Sequence, residues 1–176
     1  MKKISRLGFA FVLAASFAAT TFTAPVGAAS NVPVEAKYTD TQSGQVYGEK
    51  MNDNDMSAMG ISLGASLQNL TNELGKPDDY NLKAGRSGIS VTYDGVTFFG
   101  NPVDRIVIVD KSHATNRGIK VGDKLDAVSG AYGQPDLITD TYWFYGQFKA
   151  GTNEKYGILF FYEGNKVTRI LITSGV

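Results

Sequence analysis

Apolar positions recur at helical spacing twice along the chain. Leu67, Leu70 and Leu74 fall at i, i+3 and i+7, and Leu125, Val128 and Tyr132 repeat the interval. That spacing puts each trio on one face of a short helix. Ser66 stands where an N-cap would accept a hydrogen bond from an unpaired helix N–H. The same position in the second copy is Lys124, so Asp123 is expected to cap there. Gly75 and Gly133 fit the left-handed residue that ends a helix, and Pro77 and Pro135 stop its continuation. Downstream, residues 89–93, 95–99 and 103–109, then 142–148, 156–162 and 167–173, are rich in β-branched and aromatic residues and read as strands. Glu163-Gly164-Asn165 predicts a hairpin turn, and Gln45-Val46-Tyr47 a further short strand.

The two sets of elements are copies of one pattern. GISLGASLQNLTNELGKPD at 60–78 aligns without a gap with GIKVGDKLDAVSGAYGQPD at 118–136, at an offset of 58 residues with seven identities. Val103-Asp104-Arg105-Ile106-Val107-Ile108 then matches Val167-Thr168-Arg169-Ile170-Leu171-Ile172 at an offset of 64. Two blocks in the same order point to internal duplication. The six extra residues of the second copy are expected in a loop over 146–155. The expected fold is α+β, a two-layer sandwich of two tandem repeats over 59–112 and 113–176. Each repeat would be a short helical segment followed by a three-stranded antiparallel sheet. Residues 29–58 are polar and uneven, and are expected to be partly flexible.

Period-2 alternation assigns the sheet faces. Ile106, Ile108, Ile170 and Ile172 are expected to face the helices, which puts Arg105 and Arg169 on the other side. Tyr142-Trp143-Phe144-Tyr145 and Phe160-Phe161-Tyr162 are consecutive, so aromatics fall on both sides. A sheet with helices on one side is normally polar on its bare side. Arginine with aromatic side chains is the composition of binding hot spots. Arg105, Arg169, Trp143, Tyr145 and Phe161 are therefore the candidate protein-binding residues, unless the aromatic face packs against the other repeat or the N-terminal segment.

Composition narrows the setting. Lys2, Lys3 and Arg6 precede an apolar run over 7–19, and Val26-Gly27-Ala28 suits signal peptidase, so residues 1–28 read as a signal peptide cleaved after Ala28. The apolar run is short of a membrane span, and no later stretch is long enough, so no transmembrane segment is expected in the mature chain. The remaining 148 residues carry 14 basic and 17 acidic side chains, a net charge of −3. No basic surplus is present to grip nucleic acid. The chain contains no cysteine. That removes disulfides, thiolate chemistry and the cysteine that would carry a lipid anchor. The expected location is the periplasm or the extracellular face of the envelope.

Candidate chemistry is sparse. His113, the only histidine, lies between the repeats beside Lys111 and Ser112, with no G-x-S-x-G nucleophile elbow to serve. Asp53-Asn54-Asp55 begins like a calcium loop, but Ala58 and Gly64 occupy the positions that need glycine and a carboxylate. Asp78, Asp79 and Asp136 follow the helix-ending prolines, where aspartate serves a turn. Gly118-Ile119-Lys120-Val121-Gly122-Asp123 lacks both the phosphate-loop lysine and a dinucleotide fingerprint. No catalytic residue, metal site or cofactor is expected.

The second copy joins a capped helix ending in Tyr132-Gly133-x-Pro135 to Tyr142-Trp143-Phe144-Tyr145, then Gly157-Ile158-Leu159-Phe160-Phe161 and Val167-x-x-Ile170. This resembles the SmpA/OmlA family of BamE-like outer-membrane assembly domains. The first copy matches through Leu74-Gly75-Lys76-Pro77 but lacks the tryptophan. Two such units in tandem are also similar to the secreted β-lactamase inhibitory proteins. The resemblance covers about residues 59–174 and implies a non-enzymatic, exported envelope module that binds or scaffolds a protein. The alternative it implies is a secreted enzyme inhibitor of the β-lactamase inhibitory type.

Overall fold

The structure is a computed structural model that describes residues 34–82 and 88–175. The expected signal peptide lies outside the described residues. Thirteen regular elements besides one 3₁₀ turn follow in order: β1 (Val46–Tyr47), β2 (Ser57–Ala58), β3 (Ile61–Ser62), α1 (Leu67–Leu74), β4 (Asp79–Asn81), β5 (Ser90–Tyr93), β6 (Val96–Gly100), β7 (Val103–Ile108), α2 (Leu125–Tyr132), β8 (Leu137–Ile138), β9 (Tyr142–Lys149), β10 (Lys155–Glu163) and β11 (Lys166–Ser174). Among the described residues, no helix is long and apolar enough to cross a membrane.

The expected fold class is corrected. The chain does not form two units of one helix and three strands. Among the described residues it forms a nine-stranded antiparallel sheet in the order β1-β9-β10-β11-β7-β6-β5-β4, with β8 also on β9, a separate two-stranded sheet of β2 and β3, and two eight-residue helices. The seam lies at the centre, where β11 pairs antiparallel with β7 through Ile170↔Ile108, Leu171↔Val107, Ile172↔Ile106 and Thr173↔Arg105. A β-strand leaves one edge unpaired unless something covers it. Here the two last strands of the similar blocks satisfy one another. The other source of the difference is β4 and β8, which add a strand to β5 and β9 just after each helix-ending proline. They are three and two residues long, too short for alternation to mark.

Helix ends follow the sequence closely. Ser66 Oγ accepts the Asn69 N–H at 3.2 Å, capping α1. Asp123 does not cap α2: its carboxylate accepts the Lys120 N–H at 2.8 Å instead, and Lys124 makes no side-chain cap bond. Gly75 and Gly133 have φ of 78° and 79° with ψ of −145° and −152°. Positive φ with extended ψ is a region that only glycine occupies without strain.

One face of the sheet carries the main core. Ile106, Ile108, Ile158, Phe160, Ile170 and Ile172 are fully buried there against Leu70 of α1 and Val128 of α2. The six extra residues do not make a loop over the whole of 146–155. β9 runs on to Lys149 and β10 starts at Lys155, so most of the excess lengthens the two strands, with Gly146 paired to Gly157. A Cβ at Gly146 would stand 2.2 Å from the Tyr156 carbonyl oxygen, closer than any side chain tolerates.

Residues 34–48 run along this longer half. Lys37 and Tyr38 donate their N–H groups to the carbonyls of Pro135 and Asp136 at 2.8 and 3.4 Å, and β1 pairs with the far end of β9. Tyr38 and Tyr47 pack with Phe148, which in turn stands edge-on to Phe144. Further on, the 3₁₀ turn Asp53–Asp55 is clasped by the loop after β7. Arg117 holds Asp55 through Nε–Oδ1 at 2.9 Å and Nη2–Oδ2 at 2.6 Å, and the Asn116 side-chain amide donates to the Asn54 carbonyl.

Candidate protein-binding face

Strand register fixes which side chains share the side of the sheet away from the helices. On β9 they are Tyr142, Phe144 and Phe148, on β10 Leu159 and Phe161, and on β11 Arg169 and Leu171. Across the seam they continue as Arg105 and Val107 on β7, Thr97 and Phe99 on β6, and Ser90 and Thr92 on β5. The two ends of this face are treated differently. At the β9 end, Phe144 and Leu159 are 0% and 6% exposed, because Tyr38, Tyr47 and Leu137 cover them in a second apolar cluster. At the other end no segment of the described chain packs over the face, and Thr92 and Thr97 stand where Phe144 and Leu159 stand. Their hydroxyls are 3.0 Å apart. The polarity of the side chains therefore follows the cover.

Between these ends lies a strip of cations over aromatic rings. The Arg169 guanidinium is 3.9 Å from the ring centroid of Phe161, its cross-strand partner. Arg105 lies 5.1 Å from the ring of its own cross-strand partner, Phe99, and its Nε donates to Asp104 at 3.2 Å. Lys155 is 6.0 Å from the ring of Tyr142. Partial burial lowers the Lys155 pKa and raises that of Tyr142. A guanidinium stacked on a ring keeps its in-plane N–H donors free for carboxylate or backbone oxygens while the ring supplies apolar area.

The five sequence-derived candidates separate. Arg169 and Phe161 are brought together on this face as cross-strand partners, and Arg105 shares the face four residues further along the seam, opposite Thr173. Trp143 and Tyr145 are not: they point to the helix side, 7% and 2% exposed, within the main core. Tyr145 packs against Tyr132 and Phe160, and its hydroxyl donates to the Gly133 carbonyl at 3.0 Å. Their place inside is set by period 2, since Trp143 and Tyr145 must oppose Tyr142 and Phe144. Phe99 was missed, although its alternation with Phe98 put it on the same side as Arg105.

The other candidate groups stay local. His113 Nε2 is 3.0 Å from Asp94 Oδ2 at the surface. Asp136 is 6% exposed and binds the Gly146 N–H at 2.8 Å and the Lys37 ammonium at 2.9 Å, so it ties the N-terminal segment to the β8–β9 turn. Asp78 takes the Asp94 N–H at 2.6 Å in the corresponding turn. Among the described residues no three His, Cys, Asp or Glu side chains converge to hold a metal ion. Compared with protein-family models, with characterised proteins and with solved structures, the chain matches none.

Proposed function

We propose that this chain is an exported, non-enzymatic protein of the cell envelope that binds a protein partner through the open part of its sheet face. The observation that carries the reading is the two arginine–ring pairs on one face of the sheet, Arg169 on Phe161 and Arg105 on Phe99, set on the two strands of the seam four residues apart in register. Export rests on the signal-like residues 1–28, and the envelope setting on the resemblance to SmpA/OmlA domains. The partner surface that fits is one presenting carboxylates or backbone carbonyls between apolar side chains.

The test is capture from an envelope extract with tagged wild-type protein and with Arg105→Ala/Arg169→Ala, the bound proteins being identified by mass spectrometry. A partner retained by the wild type and lost by the double variant, with thermal stability nearly unchanged, supports the reading. Equal capture by both removes the face as the binding site. The second reading, a secreted inhibitor, is tested by adding the protein to β-lactamase and protease assays. Inhibition at stoichiometric concentration would favour it.

A further inference from the structure

The register at the seam contains a local two-fold axis. Residues 103–108 match residues 167–172 at an offset of 64. That offset makes Leu171 the counterpart of Val107, and the two are also direct cross-strand partners. On either side of them the exchange continues. Ile106 faces Ile172, the counterpart of Ile108, and Ile108 faces Ile170, the counterpart of Ile106. An axis through the Val107–Leu171 pair, normal to the sheet, therefore exchanges β7 with β11. It also exchanges the next strands out, β6 and β10, each antiparallel to its neighbour.

The same axis relates the two arginine–ring pairs. Arg105 and Arg169 stand two residues before Val107 and Leu171. On antiparallel strands they fall on opposite sides of that pair, about 13 Å apart along the strand direction. Each lies over the ring of its partner on the next strand out, Phe99 or Phe161. Val107 and Leu171 are half-buried between them on the same face. Arg169 makes no ion pair among the described residues, and Arg105 gives only its Nε to a carboxylate, that of Asp104. The likeness ends at the next positions outward, where Thr97 faces Val107 and Leu159 faces Leu171.

We infer that the partner of this face has a two-fold axis of its own: a homodimer seated over the Val107–Leu171 pair, with one carboxylate from each subunit on each arginine. The inference rests on the arginine face being the binding site. Two equal cationic posts related by a two-fold are met in one geometry only by groups related by the same two-fold, which the subunits of a cyclic dimer supply. Engaging both ends at once also raises affinity without any new contact. Charge decides against a second copy of this chain as the occupant, since on the same axis it would set arginine against arginine.

The experiment titrates ¹⁵N-labelled protein with the disulfide-linked dimer of acetyl-Glu-Leu-Cys-amide, whose two glutamates reach about 19 Å apart when extended. The protein has no cysteine to exchange with it. The controls are the single peptide with S-methylcysteine and the dimer with Gln in place of Glu. The expected result is one dimer bound per chain, with saturable amide shifts at Arg105, Val107, Arg169 and Leu171 and affinity at least about tenfold above the single peptide. Arg105→Ala and Arg169→Ala should each weaken the dimer by a similar factor. The glutamine dimer should bind no better than the single peptide, and it makes the same test from the ligand side if either variant does not fold. A glutamate dimer no tighter than the single peptide, shifts at one arginine only, or two dimers per chain would overturn the inference. So would concentration-dependent shifts of these amides without peptide, which would make a second copy the occupant. In the envelope capture, a native mass of one chain with two identical partner subunits supports it. An arginine-dependent partner bound one to one overturns it and leaves the binding face standing, whereas capture that ignores both arginines removes the two together.

Discussion

The hydroxyl of Tyr145 donates to the carbonyl of Gly133 at 3.0 Å, tying a sheet strand to the residue that ends α2. Tyr93 makes the same bond to Gly75 at the end of α1, at 3.1 Å. Each helix is only two turns long, and helices of that length are marginal without tertiary support. The tyrosines fix where each helix stops against the sheet. Tyr145→Phe and Tyr93→Phe should each cost about 1 kcal/mol in urea denaturation, near the net worth of one hydrogen bond. Loss of neither bond registering in the midpoint would mean that water replaces them fully.

The glycines at these ends are constrained by backbone and not by space. Nothing lies within 4 Å of a Cβ built on Gly75 or Gly133. Their φ and ψ are nonetheless closed to other residues, so Gly133→Ala and Gly75→Ala should each cost on the order of 1–3 kcal/mol. The check is a lowered denaturation midpoint with an unchanged m-value.

Arg117 is expected to be the most costly charge to remove. It forks onto Asp55, which is 6% exposed, donates to the Ala131 carbonyl at 3.2 Å, and lies 4.7 Å from the Tyr132 ring. Arg117→Ala leaves a buried carboxylate without its partner, at a cost of roughly 2–3 kcal/mol. Adding Asp55→Asn should recover part of that loss, and a double-mutant cycle reads the coupling.

Alkaline pH should weaken the fold through the buried tyrosines. Burial raises the pKa of Tyr132 to about 12 and that of Tyr145 higher still. An unfolded tyrosine ionises near 10. The unfolded chain therefore loses these protons first as pH rises. The stabilisation is fully present below about pH 10 and is lost as pH climbs to about 12, amounting to roughly 2–3 kcal/mol for Tyr132. Melting temperatures between those limits should fall, and Tyr132→Phe should flatten the slope.

Much of the local structure was legible and the assembly was not. The trios at 67, 70, 74 and 125, 128, 132 give both helices, because one buried face imposes the 3.6-residue period. Ile106, Ile108, Ile170 and Ile172 show the core side by alternation. The join of β7 to β11 left no such mark: an edge strand and a central strand with the same inward isoleucines read alike. The candidate residues failed in a similar way. Trp143 and Tyr145 were grouped with Arg169 by composition, whereas the pairing of Arg169 with Phe161 and of Phe161 with Tyr142 puts them on opposite sides. The covered end of the face needed knowledge of a distant partner, since Tyr38 lies about a hundred residues before Phe144.

The central seam also dictates an order of events. β11 is the last strand of the described chain, yet it lies in the middle of the sheet, between β10 and β7. As the chain emerges from a ribosome or a translocation channel, β7 and β10 each present an unpaired inner edge until residues 166–174 arrive. Open edges recruit other strands. The sheet is thus least protected from misassociation just before β11 is in place, and a holding factor would have its natural target in those two temporarily vacant edges.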